Sequence, residues 1–241
     1  MTIELDLKSF VFGATGFVGR EVVRQLCVRG TRTIAHVRPD SKQLENWRAR
    51  FSEMGATIDV TPWEVDALAA RMRELRPTQI YILIGTTRGK AKADGVDGNI
   101  YERVDLGLTT MVVDAVKQAA LVPAPRIVYL SSVGADAGAR SAYLRARGRA
   151  EEAVKGSGAP WVIARPSIIT GDRDDSRIGE RTAAVVGDGL LAVARGLFGP
   201  WGGKKLRDRY RSTTPDVLAS ALIRIGEEPE VGIVVDGAGL R

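Results

Sequence analysis

The sequence predicts an α/β protein built on a doubly wound, mostly parallel β-sheet. Short apolar runs alternate with longer segments of helical spacing, and a glycine-rich turn joins the first run to the first helix. The chain has 241 residues, of which 44% are hydrophobic and 27% charged, and these values suit one large globular domain. We therefore expect a single domain over residues 1–241, with a small lobe at about 171–215 that covers a substrate.

The first predicted strand ends in a turn that suits a pyrophosphate. The apolar run Phe10–Phe12 is followed by Gly13, Gly16 and Gly19, and helical spacing begins at Val18. Such a turn brings backbone N–H groups and the positive end of a helix together, and the glycines let a ligand approach the backbone closely. The alternative is a glycine-rich turn that binds nothing.

The second predicted strand, residues 32–37, ends at a basic residue. In units that bind NAD, an acidic residue at this place accepts hydrogen bonds from the adenosine ribose hydroxyls. Here the position carries Arg38, whose guanidinium suits a 2′-phosphate. The sequence therefore favours NADP over NAD, although Asp40 argues the other way and Arg38 as an ordinary surface residue stays open.

The rest of the chain continues the alternation. Helices are predicted over 41–54, 63–76, 99–119, 141–156, 180–198 and 215–225, and strands over 56–61, 79–84, 126–131, 161–164 and 232–235. Asp59 and Val60 end the third strand, where an adenine ring would lie. The polar loop 85–98 follows the fourth strand, at the edge of the sheet where ligands bind in such folds.

The composition excludes several classes of site. Cys27 is the only cysteine and His36 the only histidine, so a disulfide, a zinc site and a histidine-based triad are not expected. No run approaches the roughly 18 apolar residues of a membrane span, and the N-terminus lacks the pattern of a secretory signal. These observations predict a cytoplasmic protein with no metal and no membrane contact.

The net charge of +6 raises the question of a nucleic-acid partner. The arginines are scattered, and the densest basic run, Lys204–Arg211, is interrupted by Asp208. We interpret this run as a solvated face, and the alternative is a site for an anionic ligand or partner. Nucleic acid is therefore not favoured. A small-molecule substrate is expected, and a homodimer or a protein partner stays open.

A serine pair and a tyrosine form the candidate catalytic group. Ser131 and Ser132 end the fifth strand, Tyr143 follows on a helix, and Arg147 lies four residues later on the same helix face. A cation beside a phenol lowers its pKa from about 10, and a nearby hydroxyl can orient a carbonyl. The alternatives are a packing tyrosine and serines that satisfy backbone groups at the strand end.

Five segments resemble segments of a known family and occur in the same order along the chain. They are GATGFVG (13–19), LIGTTRGKA (83–91), LSSVGAD (130–136), SAYLRARG (141–148) and RPSIITGDRDDSR (165–177). Over about residues 8–180 the chain resembles the atypical and extended short-chain dehydrogenases/reductases, and more closely the Tat-interacting-protein oxidoreductase group. The resemblance implies a Rossmann domain that binds NADPH, with Ser132, Tyr143 and position 147 as catalytic residues.

The same resemblance implies a set of cofactor contacts. Arg38 would meet the 2′-phosphate, and Gly85 and Thr86 would lie near the ribose and pyrophosphate. Pro166 and Ile168 would lie against the nicotinamide. With the adenine-side and strand-five residues named above, the candidate contacts are Gly13, Thr15, Gly16, Phe17, Val18, Gly19, Arg38, Asp59, Val60, Gly85, Thr86, Ser131, Pro166 and Ile168.

The chain departs from the family at one catalytic position, where Arg147 replaces a lysine. Arginine keeps the charge, but it is larger and does not exchange its proton near neutral pH. Two functions therefore stand side by side. One is an NADPH-dependent reductase of a carbonyl substrate, and the other is a non-catalytic NADP(H)-binding protein that senses redox state and acts through a partner.

Overall fold

The computed structural model describes residues 7–86, 99–167, 169–170 and 213–241. Its centre is a sheet of seven parallel strands in the order β3-β2-β1-β4-β5-β6-β7. The strands are β1 (Lys8–Phe12), β2 (Arg32–His36), β3 (Thr57–Asp59), β4 (Gln79–Ile82), β5 (Arg126–Leu130), β6 (Trp161–Arg165) and β7 (Ile233–Asp236). The predicted doubly wound α/β class is confirmed.

Six α-helices and one π-helix lie within the described ranges. They are α1 (Phe17–Val28), α2 (Leu44–Glu53), α3 (Val65–Leu75), the π-helix (Tyr101–Leu108), α4 (Thr109–Ala119), α5 (Ala142–Lys155) and α6 (Pro215–Glu227). A 3₁₀ helix follows β7 at Gly237–Leu240. The predicted helix at 180–198, most of the lobe at 171–215, the loop residues 87–98, Ile168 and the basic run Lys204–Arg211 lie outside the described residues.

Two apolar layers hold the sheet between helices. Alternate residues of each strand point to opposite faces, so Phe10 and Phe12 join the core under α3, α4 and α5, whereas Val11 joins the core under α1, α2 and α6. Strands buried on both faces are apolar over most of their length, as in Phe10–Phe12 of β1 and Ile127–Leu130 of β5. This burial explains why the apolar runs in the sequence predict the positions of these strands.

The predicted continuous helix over 99–119 has two parts. The eight residues Tyr101–Leu108 form the π-helix, and regular α-helical bonding begins at Thr109. Thr109 Oγ1 donates to the carbonyl of Asp105 at 2.6 Å, a side-chain contact at the place where the two parts meet. Wide helical turns of this kind occur frequently at functional sites.

The last helix closes one face of the sheet against the first. The side chains of Leu218, Leu222 and Ile225 in α6 are buried in the same core as those of α1. Gln25 Nε2 donates to the carbonyl of Asp216 at 2.9 Å, and Arg29 lies 3.5 Å from Glu227. The two ends of the described chain are therefore packed together.

Parallel strands place all their carboxyl ends at one edge of the sheet. The strand order reverses at β1, which pairs with β2 on one side and with β4 on the other. In open α/β sheets, ligands bind in the crevice outside the strand ends at this reversal. The residues after β1 and β4, Gly13 and Leu83, meet at that point.

Candidate functional site

The turn after β1 is built so closely that only glycine fits at its two ends. Gly13 has a φ of +81°, and a Cβ there would lie 2.6 Å from the carbonyl oxygen of Leu83. A Cβ on Gly19 would lie 2.1 Å from the carbonyl oxygen of Gly13. The N–H of Gly16 donates to that same oxygen at 2.9 Å and closes the turn. We call residues 13–19 the glycine elbow.

The start of α1 fits a phosphate group. Its N-cap is Gly16, no side chain caps the helix, and its first turn carries no acidic residue. The N–H groups of a first helical turn and the helix dipole together favour an anion. Thr15 and Phe17 are half-buried, and Val18 is buried in the core, so Val18 can meet a ligand only through its backbone.

The adenosine side carries one exposed arginine and one buried aspartate. Arg38 follows β2, and its Nε lies 3.8 Å from Oδ1 of Asp40, with both side chains exposed. Asp59, at the end of β3, is buried; its Oδ2 accepts from Arg71 Nε at 2.6 Å and its Oδ1 accepts from the N–H of Thr61. The Asp59 carboxylate therefore shapes the turn beside half-buried Val60.

Ser131 and Ser132 lie at the end of β5, and both are buried. Ser131 Oγ donates to Glu151 at 2.6 Å, whereas Ser132 Oγ makes only a long contact, 3.4 Å, with the carbonyl of Val133. The N–H of Val133 donates to the carbonyl of Pro166 at 2.9 Å, which joins the ends of β5 and β6. Ser132 is thus the serine whose hydroxyl is less committed within the protein.

Tyr143 stands on the first turn of α5 beside another aromatic ring. Ser141 caps the helix by accepting from the N–H of Leu144. The ring of Tyr143 makes an edge contact with Tyr101 of the π-helix, with the ring centres 5.3 Å apart. The guanidinium of Arg147 lies 5.5 Å from the Tyr143 ring centre, so the predicted phenol and cation are neighbours.

Arg147 is buried in an ion pair that the sequence did not assign. Its Nη2 lies 2.9 Å from Oδ1 of Asp105, and its Nη1 donates to the carbonyl of Leu130 at 2.8 Å and to the Tyr129 hydroxyl at 3.2 Å. Oδ2 of Asp105 accepts from the N–H of Thr86 at 3.3 Å. Asp105 is completely buried, so the pair lies inside the protein.

The pKa values of both groups in the pair are shifted. Burial raises the pKa of Asp105 to about 6, and the charge of Arg147 opposes this rise. Burial also disfavours the Arg147 cation, but Tyr129 and Asp105 outweigh it and raise the pKa of that guanidinium well above its ordinary value. Both groups are therefore ionised at neutral pH.

The Arg147 guanidinium also lies against Gly85, in the segment that follows β4. A Cβ on Gly85 would lie 2.6 Å from Nη2 of Arg147, so Gly85 is the residue that leaves room for the guanidinium. Through Arg147 and Asp105, the structure brings together Tyr143, Gly85 and Thr86, three residues that the sequence placed at one site. Arg38 follows β2 and Asp59 ends β3, two strands on the other side of the glycine elbow.

Glu151 is a second buried acidic residue that sequence reasoning missed. It is 1% exposed and accepts from Ser131 and from Arg165. A signal was present, because residues 143, 147 and 151 follow at steps of four and so share one face of a helix. For Asp105 no comparable signal existed, since its partner Arg147 lies far away in the sequence.

Comparison with known proteins identifies the class of domain. Residues 13–192 match a family model described as NAD(P)H-binding. The chain is 30% identical to the protein fmp52, mitochondrial, of Aspergillus niger over 233 residues, which cover 95% of this chain and 90% of that protein. It is 31% identical to the protein of the same name from Aspergillus fumigatus over 231 residues, with the same coverage.

Solved structures share the fold. UDP-N-acetylglucosamine 4-epimerase from Bacillus cereus superposes with a TM-score of 0.60 at 16% identity, over 96% of this chain and 78% of that one. The enzyme WbmH of Bordetella bronchiseptica, determined in complex with NAD+, superposes with a TM-score of 0.62 at 14% identity, over 95% of this chain and 75% of that one.

These findings confirm some of the predictions from the sequence and contradict one of them. A Rossmann-type NAD(P)-binding domain is confirmed, whereas the narrower resemblance to the Tat-interacting-protein group stays a prediction. The expected cytoplasmic location is wrong, because the relatives are named as mitochondrial proteins. Across the described ranges, no helix is long and apolar enough to cross a bilayer. Nor do the described His, Cys, Asp and Glu side chains gather into a group of three that could hold a metal.

Proposed function

Because the chain belongs to the NAD(P)H-binding family, we propose that it is an NADPH-dependent oxidoreductase of the atypical short-chain dehydrogenase type that reduces a carbonyl substrate. The observation that carries the proposal is the placement of Tyr143 beside the buried Arg147–Asp105 pair, which holds the ends of β4 and β5. The glycine elbow lies at the neighbouring strand end and has the shape and the helix terminus that a pyrophosphate requires.

Each residue has a distinct task in this proposal. When bound in the elbow, NADPH supplies a hydride for the substrate carbonyl carbon. Tyr143 gives a proton to the carbonyl oxygen, and Ser132 donates a hydrogen bond to the same oxygen. Arg147 acts as a positioning residue. Its guanidinium is held by Asp105, Leu130 and Tyr129, and it lies 5.5 Å from the centre of the Tyr143 ring.

Replacement of Tyr143 by phenylalanine tests the reaction. Turnover of NADPH with a panel of aldehydes and ketones should fall about 100-fold or more, because the proton donor is lost. The dissociation constant for NADPH should change by less than about twofold, since only the hydroxyl is removed. Stopped-flow absorbance at 340 nm and fluorescence titration measure the two quantities. Unchanged turnover would remove Tyr143 from the chemistry.

The cofactor preference is tested at Arg38. Arg38→Ala should weaken NADPH binding by about tenfold or more and leave NADH binding unchanged, because only the 2′-phosphate gains from the guanidinium. Asp40→Asn is the matched variant and should strengthen NADPH binding, because it removes the carboxylate 3.8 Å from Arg38. An equal loss for both dinucleotides in Arg38→Ala would contradict a 2′-phosphate site here.

One observation favours a second candidate, a non-catalytic NADP(H)-binding redox sensor. Arg147 has its Nη atoms bound to Asp105, Leu130 and Tyr129, so it has less freedom than a lysine that moves protons. Tight NADPH binding with no oxidation across the carbonyl panel would support the sensor. A gain in turnover in Arg147→Lys would instead identify a weakened enzyme.

A further inference from the structure

One face of α5 carries a carboxylate that the proposed chemistry does not use. Glu151 lies two turns after Tyr143 and one turn after Arg147, so the three side chains share a helix face. Arg147 donates to Leu130 at the end of β5 and lies against Gly85 beyond the end of β4, and Glu151 binds Ser131 and Arg165 at the ends of β5 and β6. The helix therefore ties three successive strand ends at the carboxyl edge of the sheet.

Both oxygens of Glu151 are engaged by the strand ends. Ser131 Oγ donates to Oε1 at 2.6 Å, and Arg165 donates from Nε to Oε1 at 2.8 Å and from Nη2 to Oε2 at 2.6 Å. Lys155, one turn further along α5, lies 3.6 Å from Oε2 and is more exposed. A two-pronged arginine–carboxylate contact fixes direction as well as distance.

The two residues that Glu151 holds stand next to candidate site residues. Ser131 directly precedes Ser132, and Arg165 directly precedes Pro166. The N–H of Ser131 donates to the carbonyl of Ala164 at 2.8 Å, so the β5 and β6 ends are already paired through the backbone. Glu151 adds a side-chain clamp at the same level.

We propose that Glu151 is a positioning residue for the nicotinamide end of the dinucleotide site, where its clamp on Ser131 and Arg165 sets the spacing between Ser132 and Pro166. Glu151 does not itself touch the ligand, because it is 1% exposed and its oxygens are bound within the protein. The inference rests on the proposed function, in which Pro166 faces the nicotinamide and Ser132 the carbonyl.

The test compares two probes that share the adenosine end. NADPH reaches both ends of the site, whereas adenosine 2′,5′-bisphosphate carries no nicotinamide ribose. In Glu151→Gln, which keeps the side-chain shape but loses the charge, NADPH affinity should fall about tenfold. Adenosine 2′,5′-bisphosphate affinity should stay within about twofold of wild type. Calorimetric titration of the full chain gives both values.

Matched variants separate positioning from general damage. Arg165→Gln should show the same selective loss, because it breaks the clamp from its other side. Glu152→Gln, an exposed neighbour on the same helix, should bind both probes as wild type does. If Glu151→Gln does not fold, Ser131→Ala, which removes one neutral donor, should still weaken NADPH more than the bisphosphate.

Three outcomes would overturn the inference in distinguishable ways. Equal weakening of both probes would make Glu151 a purely structural residue. Wild-type NADPH affinity in Glu151→Gln would show that the clamp does not position the ligand. If the wild-type chain binds neither probe, the proposed function itself fails and takes this inference with it.

Discussion

Replacement of Arg147 by methionine is expected to lower the free energy of unfolding by about 3–5 kcal/mol at pH 7.5. Methionine fills much of the space but leaves the Asp105 carboxylate buried without its cation, and it removes the donors to Leu130 and Tyr129. Urea unfolding followed by circular dichroism measures the change. Asp105→Asn combined with Arg147→Met should recover part of the loss, because the double variant buries no charge and keeps an acceptor for the Thr86 N–H.

The loss should depend on pH in a defined direction. Burial raises the pKa of Asp105 in the folded protein to about 6, above its ordinary value of 3.8. The stability that this group contributes is therefore fully present below pH 3.8 and is lost as pH rises through 6. In Arg147→Met the opposing cation is gone and the pKa rises further, so the deficit relative to wild type should be largest above pH 7 and shrink below pH 6.

An exposed pair between the same two helices is the control. Arg149 of α5 lies 2.8 Å from Glu102 of the π-helix, and its side chain is about half exposed. Arg149→Met should change stability by no more than about 0.5 kcal/mol. A loss in Arg147→Met that is independent of pH and unrelieved in the double variant would mean that Arg147 contributes packing alone.

The second large effect is expected in Gly19→Ala, which should weaken NADPH binding about 100-fold. The new Cβ would lie 2.1 Å from the carbonyl oxygen of Gly13, a backbone atom that can move only if the elbow opens. Opening turns several N–H groups away from a pyrophosphate, and the overpacking should cost about 1–3 kcal/mol of stability. Fluorescence titration and urea unfolding measure the two effects.

Gly30 offers a control in which the backbone conformation, and not a close contact, calls for glycine. Gly30 has a φ of +77° but has nothing within 4 Å of an added Cβ. Gly30→Ala should therefore cost about 1 kcal/mol of stability and leave NADPH affinity at the wild-type value. Wild-type NADPH affinity in Gly19→Ala would show that the elbow does not hold the dinucleotide.

Much of the fold could be predicted from the sequence, because strands that are buried on both faces of the sheet appear in the sequence as short apolar runs. The runs at β1, β4 and β5 had to be apolar nearly throughout, and Gly13 and Gly19 had to be glycine for reasons of contact. Boundaries were less accurate. Leu83 and Ile84 extend the buried run past the last paired residue of β4, and Trp63 packs on His36 before α3 begins.

The site was predictable only where its spacing was local. Tyr143 and Arg147 could be placed on one helix face because four residues make about one turn. The partner of Arg147 could not be predicted, because Asp105 lies far away in the sequence and on a π-helix, whose i→i+5 bonding differs from the α-helical spacing that the sequence pattern suggests. The replacement of lysine by Arg147 was visible, but its buried counter-charge was not.

The packing of α6 on α1 has a consequence for how the chain is assembled. The apolar side of α1 is covered by Leu218, Leu222 and Ile225 of α6, residues that a ribosome adds long after it has made α1. A nascent protein that already contains β1 to β6 would expose this apolar surface of α1 to any neighbouring chain. The need for chaperones during synthesis should therefore persist until α6 emerges.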